Sequence, residues 1–459
     1  MSPQGNGGVN KSFTRKALEL VPSYRTFRNT YQLLQRSQWW SRAQLEEYQL
    51  TELRKLLDHA YANVPYYTKV FDERSLKPKD IQDFKDLRLL PYLTKNIIRQ
   101  NLNYLKAKNY AEDRFEYVTT GGSTGTPLGF YYERGTSRAI EWAFIKAQWD
   151  RVGYRFRDKC VVLKGQGQVT SSPSSKKALF GRWMVLPSNQ LVKANVNFYL
   201  NSLRHFNPTF IQAYPSTITA LAKLVDEQQP LHLPKLKSIL CGSENLYNVQ
   251  REILQKRFGC RVFTWYGHSE RAILASECEK SNHYHVCPEY GILELMDNNE
   301  KPLDERGAKG QIVGTALTNY AMPLIRYVTD DISSISDRKC SCGRDYQILE
   351  SIDGRLQEYF IGMDGRKISL TMINNIHSDV FNNVLQFQFF QDEIGKVFLN
   401  LIRNDHYTSE DTEAIKVEVQ KKLGDEISLE ICFVDMIPRT QLGKSKVLIQ
   451  KLPIDEDNG

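Results

Sequence analysis

Apolar residues in the first hundred positions recur at helical spacing. Ser41-Arg42-Ala43-Gln44 forms a capping box, in which the serine hydroxyl accepts from the third helical N–H and the glutamine reaches back. The helix it opens repeats apolar residues at Leu45, Tyr48, Leu53, Leu56, Leu57, Ala60 and Val64, and Pro65 ends it. A second helix is predicted over 136–149, with Gly153 beyond it. Apolar runs of strand length then occur at 160–163, 209–213, 238–241 and 262–265. Helical periodicity fills the intervals at 196–204, 217–225 and 247–258. Strands alternating with helices predict a largely parallel sheet with covered faces.

From Gly291 the pattern changes. Segments 291–296 and 311–316 read as antiparallel strands joined by a polar, Gly-containing turn. Beyond Gly354 the sequence predicts a strand at 359–361, a turn at Asp364-Gly365 and a helix near 370–379. Strands at 385–390 and 397–402, a helix at 409–423 and a strand at 428–434 follow. The expected fold class is therefore α/β. A large N-terminal domain with mixed sheets covered by helices spans 1–353, and a small α+β domain of about a hundred residues spans 354–459.

Length supports this division, because 459 residues exceed the roughly 100–200 of one domain. The excess of Lys and Arg over Asp and Glu gives a net charge of +8, modest for this size and compatible with a polyanionic small molecule. No arginine-rich block or nucleic-acid motif is present, so nucleic acid is not an expected partner. The stretch from Met1 to Asn10 is polar, without the apolar core of a signal peptide. No apolar run approaches the roughly 20 residues of a transmembrane helix. The basic stretch 25–42, ending in Trp39-Trp40, is expected to pack on the domain; the alternative is a peripheral membrane contact. The uneven spacing of the eight cysteines fits a reduced cytoplasm better than a disulfide framework.

The sharpest candidate for chemistry is Thr119-Thr120-Gly121-Gly122-Ser123-Thr124-Gly125-Thr126-Pro127, lying between two strand-like runs. Its glycines let the backbone turn and approach a ligand. Successive N–H groups and hydroxyls can then surround phosphate oxygens. It is not a P-loop, since no Lys-Ser/Thr follows the last glycine.

This loop resembles the phosphate loop of the adenylate-forming superfamily, which includes acyl-CoA synthetases, luciferases and peptide-synthetase adenylation domains. The phenylacetate–coenzyme A ligases and their capsule- and polysaccharide-cluster homologues are the most similar branch. Thr126 stands where a lysine is common. Further segments match in the same order. Cys241-Gly242-Ser243-Glu244 resembles the adenine-pocket segment. Tyr266-Gly267-His268-Ser269-Glu270 resembles the element whose Tyr stacks near adenine and whose Glu helps hold Mg2+. In Pro323–Asp331 the final aspartate, Asp331, takes the place of the ribose ligand, and Asp330 replaces a more usual Gly or Arg. Gly354-Arg355 matches the interdomain hinge, with Gln357 at the pivot position. Lys444, in Pro438–Lys446, takes the place of the lysine that bridges the carboxylate and the α-phosphate.

The resemblance implies two half-reactions: a carboxylic acid and ATP give an acyl-adenylate, and the acyl group then passes to a thiol, coenzyme A. Transfer to an amine in polysaccharide or natural-product biosynthesis is the alternative acceptor chemistry. A non-catalytic nucleotide-binding scaffold is the alternative from another class, against which the retention of Glu270, Asp331, Arg355 and Lys444 argues. Between the half-reactions the small domain would rotate about the hinge. A homodimer is compatible with this class.

A second constellation is independent of ATP. Cys278 precedes His285 by seven residues, and Cys340-Ser341-Cys342 comes later, followed by a turn-like Gly343. Three Cys and one His make a tetrahedral Zn2+ set, structural because four protein ligands would close it. His283 and Cys287 are competing ligands, and reduced cysteines without metal are the plain alternative. Some phenylacetate–coenzyme A ligases show a similar arrangement.

Overall fold

The computed structural model describes residues 22–120, 127–164, 174–178, 181–225, 231–297, 299–305, 307–355, 358–376, 378–438 and 445–452. The helix Arg42–Asn63 starts at Ser41, whose side chain accepts from Gln44 N–H while Gln44 Oε1 accepts from Ser41 N–H at 3.0 Å. Val64 closes it, and Pro65 opens the next helix, Pro65–Glu73, where its missing N–H costs nothing. Leu53, Leu56, Leu57 and Ala60 are fully buried and share one apolar cluster with Phe71, Ile98 and Tyr327. Each such leucine contributes about 2 kcal/mol by leaving water, and the cluster fixes the base of Tyr327. The helix Pro22–Ser37 lies on the helix Ser137–Asp150, with Tyr31 Oη donating to Asp150 at 2.5 Å. The basic stretch thus packs on the protein, as expected.

Twelve strands among the described residues form one sheet. Its parallel part joins Trp183–Pro187, Cys160–Lys164, Phe210–Ala213, Ser238–Cys241 and Arg261–Gly267. The remainder is antiparallel: Lys176–Ala178 pairs with Trp183–Pro187 at one edge, and beyond Arg261–Gly267 the sheet continues through Leu274–Ser276, Tyr284–Val286, Ile348–Arg355, Tyr327–Ser336, Lys309–Ala316 and Gly291–Met296. The four apolar runs at 160–163, 209–213, 238–241 and 262–265 are parallel neighbours, as their alternation with helices predicts, within a sheet that is mixed as a whole. Parallel pairing stops at Arg261–Gly267 because the next strand returns through a short loop rather than a crossover helix. The antiparallel pairing of Gly291–Met296 with Lys309–Ala316 agrees with the sequence pattern.

A separate hairpin pairs Phe115–Thr119 with Gly129–Glu133, and the Gly-rich segment falls between these strands in the sequence. Thr120 closes its base: Thr120 N–H donates to Leu128 O and Leu128 N–H to Thr120 Oγ1, both at 2.9 Å.

The chain leaves the large sheet after Arg355. The C-terminal unit contains the pair Tyr359–Ile361 and Lys367–Ser369, and a four-stranded sheet of Ser428–Phe433, Lys396–Arg403, Val384–Glu393 and Leu448–Gln450. The helix Ser409–Leu423 packs Ile415, Val419 and Leu423 into the core beside these strands. The α-helix expected near 370–379 is instead two 3₁₀ segments, Leu370–Asn375 and Ser378–Phe381. Leu370, Ile373 and Ile376 are buried at intervals of three, the period of the tighter helix. Tyr247 and Val249, from the large unit, complete the apolar core of the small one. Lys223 adds polar contacts to the same seam, donating to the carbonyls of Phe381 and Val384.

Candidate active site and cysteine–histidine cluster

The ends of the parallel strands position the candidate nucleotide residues, as is usual for ligand sites in α/β sheets. Gly242 follows Ser238–Cys241 at a place where a Cβ would lie 2.5 Å from the Trp265 indole, so only glycine fits. Glu244 does not project free: it accepts from Ser216 N–H at 3.0 Å and Ser216 Oγ at 3.1 Å, at the start of the helix Pro215–Leu224. A carboxylate there meets unsatisfied N–H groups and the positive end of the helix dipole. Ser445 N–H reaches the same Ser216 Oγ at 3.5 Å, bringing the C-terminal segment to this edge. Sequence reasoning missed Ser216, whose role depends on Glu244 twenty-eight residues away.

Two acidic residues lie at the centre. Tyr266 Oη donates to Asp331 Oδ2 at 2.8 Å, and Tyr327 Oη donates to Glu270 Oε1 at 2.6 Å. The tyrosine of each sequence segment thus holds the acid of the other. Three strands separate these segments in the sheet, which at about 4.8 Å per strand would put them far apart if the sheet were flat. Its curvature brings them together. All four side chains are at least nine-tenths buried.

Burial opposes ionisation of Glu270, but the bonds from His268 and Tyr327 outweigh it and hold the carboxyl down at about 2. Burial, reinforced by the Glu270 charge, raises the Tyr327 phenol well above its ordinary range, so it remains a donor. His268 Nδ1 lies 3.2 Å from Glu270 Oε2, and Ile273 N–H points at His268 Nε2 from 3.3 Å. The imidazole is thus engaged within its own loop. Ser269 O accepts from Tyr132 Oη. Asp330 pairs with Lys95. Asp331 and Arg355 sit opposite each other in the strand register.

Gly121, Gly122, Ser123, Thr124, Gly125, Thr126, Gln357 and Lys444 lie outside the described residues.

The second constellation is brought together by His285, in the strand Tyr284–Val286, and by the segments that carry Cys278, Cys340 and Cys342. The ligand atoms of Cys278, His285, Cys340 and Cys342 all lie within 4.8 Å of one another. Cys278 Sγ is 3.5 Å from Cys340 Sγ, and Cys342 Sγ is 3.4 Å from His285 Nε2. Tetrahedral zinc, with bonds of about 2.3 Å to sulfur and 2.0–2.1 Å to nitrogen, implies edges of about 3.8 and 3.6 Å. All eight cysteines are free. Lys280 and Ser281 donate their N–H groups to Cys278 Sγ at 3.2 and 3.3 Å. Gly343 turns the chain with φ +81°. Burial pushes the His285 imidazolium down to about 4, leaving the neutral ring that a metal requires. His283 is taken by Glu350 at 3.3 Å, and Cys287 faces Gln148, so neither competing ligand joins the cluster.

Residues 360–451 match the family described as CapK C-terminal domain. The chain is 25% identical over 435 residues to phenylacetate–coenzyme A ligase of Aromatoleum evansii, covering 90% of this chain and 96% of the relative. It is 23% identical over 424 residues to Protein CapK of Staphylococcus aureus, covering 89% and 90%. Among solved structures, 2-hydroxyisobutyryl-CoA ligase in the postadenylation state with 2-HIB-AMP superposes with a TM-score of 0.73 at 18% identity, over 90% of this chain and 93% of that one. This likeness establishes the fold.

Proposed function

We propose that this chain is an adenylate-forming enzyme of the phenylacetate–coenzyme A ligase-like branch, which activates a carboxylic acid with ATP and passes the acyl group to coenzyme A. The observation that carries this reading is the reciprocal pair Tyr266–Asp331 and Tyr327–Glu270. It unites two segments more than fifty residues apart into one acidic, buried site at the strand ends.

In the first half-reaction a carboxylate oxygen of the acid bonds to the α-phosphorus of ATP and pyrophosphate leaves. In the second, the thiol sulfur attacks the acyl carbon and AMP leaves. Asp331, acceptor-only and oriented by Tyr266, is suited to the two ribose hydroxyls. The Thr120–Thr126 loop surrounds phosphate oxygens, Gly242, Ser243 and Glu244 border adenine with Tyr266, Gly267 and Ser269, and Arg355 lies across from Asp331. Glu270 would hold Mg2+, which when bound supplies positive charge to the phosphates. Lys444 provides the second positive charge as negative charge concentrates in the transition state.

Residues 1–353 form the nucleotide and acyl domain, and 354–459 the mobile domain that brings Lys444 in and out about Gly354-Arg355. The contact of Ser445 with Ser216 supports an arrangement in which the catalytic segment is docked at the site. Cys278, His285, Cys340 and Cys342 would hold one structural Zn2+; their spacing suits it. The free thiols support a cytoplasmic location. No helix among the described residues is long and apolar enough to cross a membrane.

ATP–pyrophosphate exchange measured across a panel of carboxylic acids tests the first half-reaction, and thioester formation with coenzyme A tests the second. Acid-dependent exchange without transfer to coenzyme A would reject the assigned acceptor.

A further inference from the structure

Between Gly267 and Ile273 the chain wraps around its own imidazole. Arg271 N–H donates to His268 O at 3.1 Å, with Arg271 in the left-handed region at φ +60°. An arginine adopts that conformation only where contacts hold it. Here its guanidinium donates to Ser137 O at 2.7 Å, pairs with Glu141 at 3.4 Å, and stacks over the Tyr132 ring at 3.9 Å. This anchored turn aims Ile273 N–H at His268 Nε2, 3.3 Å away.

A backbone N–H can only donate, so Nε2 is the accepting nitrogen. The hydrogen that faces Glu270 is then the one on Nδ1. Nδ1 lies 3.2 Å from Glu270 Oε2, while Tyr327 Oη donates to Oε1. Oε2 thus faces Nδ1 and Oε1 accepts from Tyr327, with the backbone N–H of Glu270 itself adding a bond to the carboxylate. The His268 and Glu270 side chains are only 6% and 7% exposed, so the imidazole is spent on its neighbours rather than presented to a substrate.

We infer that His268 is a positioning residue for Glu270: the turn fixes one tautomer of the ring, and the ring's Nδ1–H locks the carboxylate with one face open to a cation. This deepens the reading of Glu270 as the residue that holds Mg2+ and rests on it. The sequence alone does not distinguish this role, because the acceptor nitrogen is defined only by the position of Ile273 N–H.

The test separates the two ring nitrogens. In His268→Asn the amide N–H can occupy the place of Nδ1 and keep the bond to Glu270. In His268→Gln the longer amide reaches the place of Nε2 and serves Ile273 instead. Both variants and Glu270→Gln are compared with the unaltered chain by Mn2+ binding to the enzyme–ATP complex, followed by electron paramagnetic resonance. The Mg2+ requirement of pyrophosphate exchange provides a second readout. His268→Gln should weaken cation binding and raise the Mg2+ requirement about ten-fold or more, the usual scale for losing a partner of a metal-binding group. Its kcat at saturating Mg2+ should change much less. His268→Asn should stay near the unaltered chain. Equal effects in both variants, or no shift in His268→Gln while Glu270→Gln shifts strongly, would overturn the positioning role. If Glu270→Gln itself leaves cation binding unchanged, the assignment of Glu270 is what fails.

Discussion

Tyr327 Oη lies 2.6 Å from Glu270 Oε1, although fifty-seven residues separate them, and Tyr266 returns the arrangement by holding Asp331. The two bonds should have distinguishable kinetic effects. A hydrogen bond to a buried charge is worth about 1.5–3 kcal/mol. Tyr327→Phe should therefore lower kcat for pyrophosphate exchange by about ten-fold to a hundred-fold, because Glu270 acts on charge that develops during reaction. Tyr266→Phe should mainly raise the KM for ATP, since the ribose is held in ground and transition states alike. Steady-state kinetics of both variants check this, and identical profiles would contradict it.

The cysteine–histidine cluster should bind one Zn2+ per chain. Cys340→Ser with Cys342→Ser removes two of four ligands, so metal analysis of the purified variant should find the ion lost. The unfolding temperature should fall as the loops carrying Cys278 and Cys340 separate. Purified unaltered protein without stoichiometric zinc would dispose of the assignment.

Lys444→Ala should lower kcat for adenylate formation by about a hundred-fold or more, the scale for removing one group that stabilises transition-state charge. ATP binding, measured by calorimetry, should change little. Near-normal exchange in the variant would remove Lys444 from the chemistry.

Burial pushes the Lys223 amine down to about 7, where it meets the carbonyls of Phe381 and Val384 across the seam between the large and small units. Solvated, it would titrate near its ordinary value of about 10.4. Between these values the undocked state binds more protons, so docking strengthens as pH rises through that window and weakens towards pH 7. Small-angle X-ray scattering should show a larger compact fraction at pH 9 than at pH 7, and Lys223→Met should flatten the difference. An unchanged pH trend in Lys223→Met would assign it to other groups.

What the sequence revealed was local. The cap at Ser41 and the stop at Pro65 need only neighbouring residues, and the helix Arg42–Asn63 follows from them. The Cys278, His285, Cys340 and Cys342 set was legible because few residue types suit a metal. Tyr327 as the partner of Glu270, Ser216 as that of Glu244, and Lys223 at the seam were not, because each bond depends on sheet curvature or packing between distant segments. The same limit hides which strands lie side by side, since strand order is set by connections that apolar runs do not report. Leu370, Ile373 and Ile376 did carry a signal, a spacing of three, which distinguishes the 3₁₀ turn from the α-helix.

The central claim is that this site forms an acyl-adenylate with Glu270 at its core. Pyrophosphate exchange into ATP, run with the unaltered chain and with Glu270→Gln over the same panel of carboxylic acids, measures it most directly. The account predicts exchange that depends on adding one class of acid and on Mg2+, and that falls at least about a hundred-fold in Glu270→Gln. Undiminished exchange in Glu270→Gln, or none with any acid from folded protein that binds ATP, would contradict it.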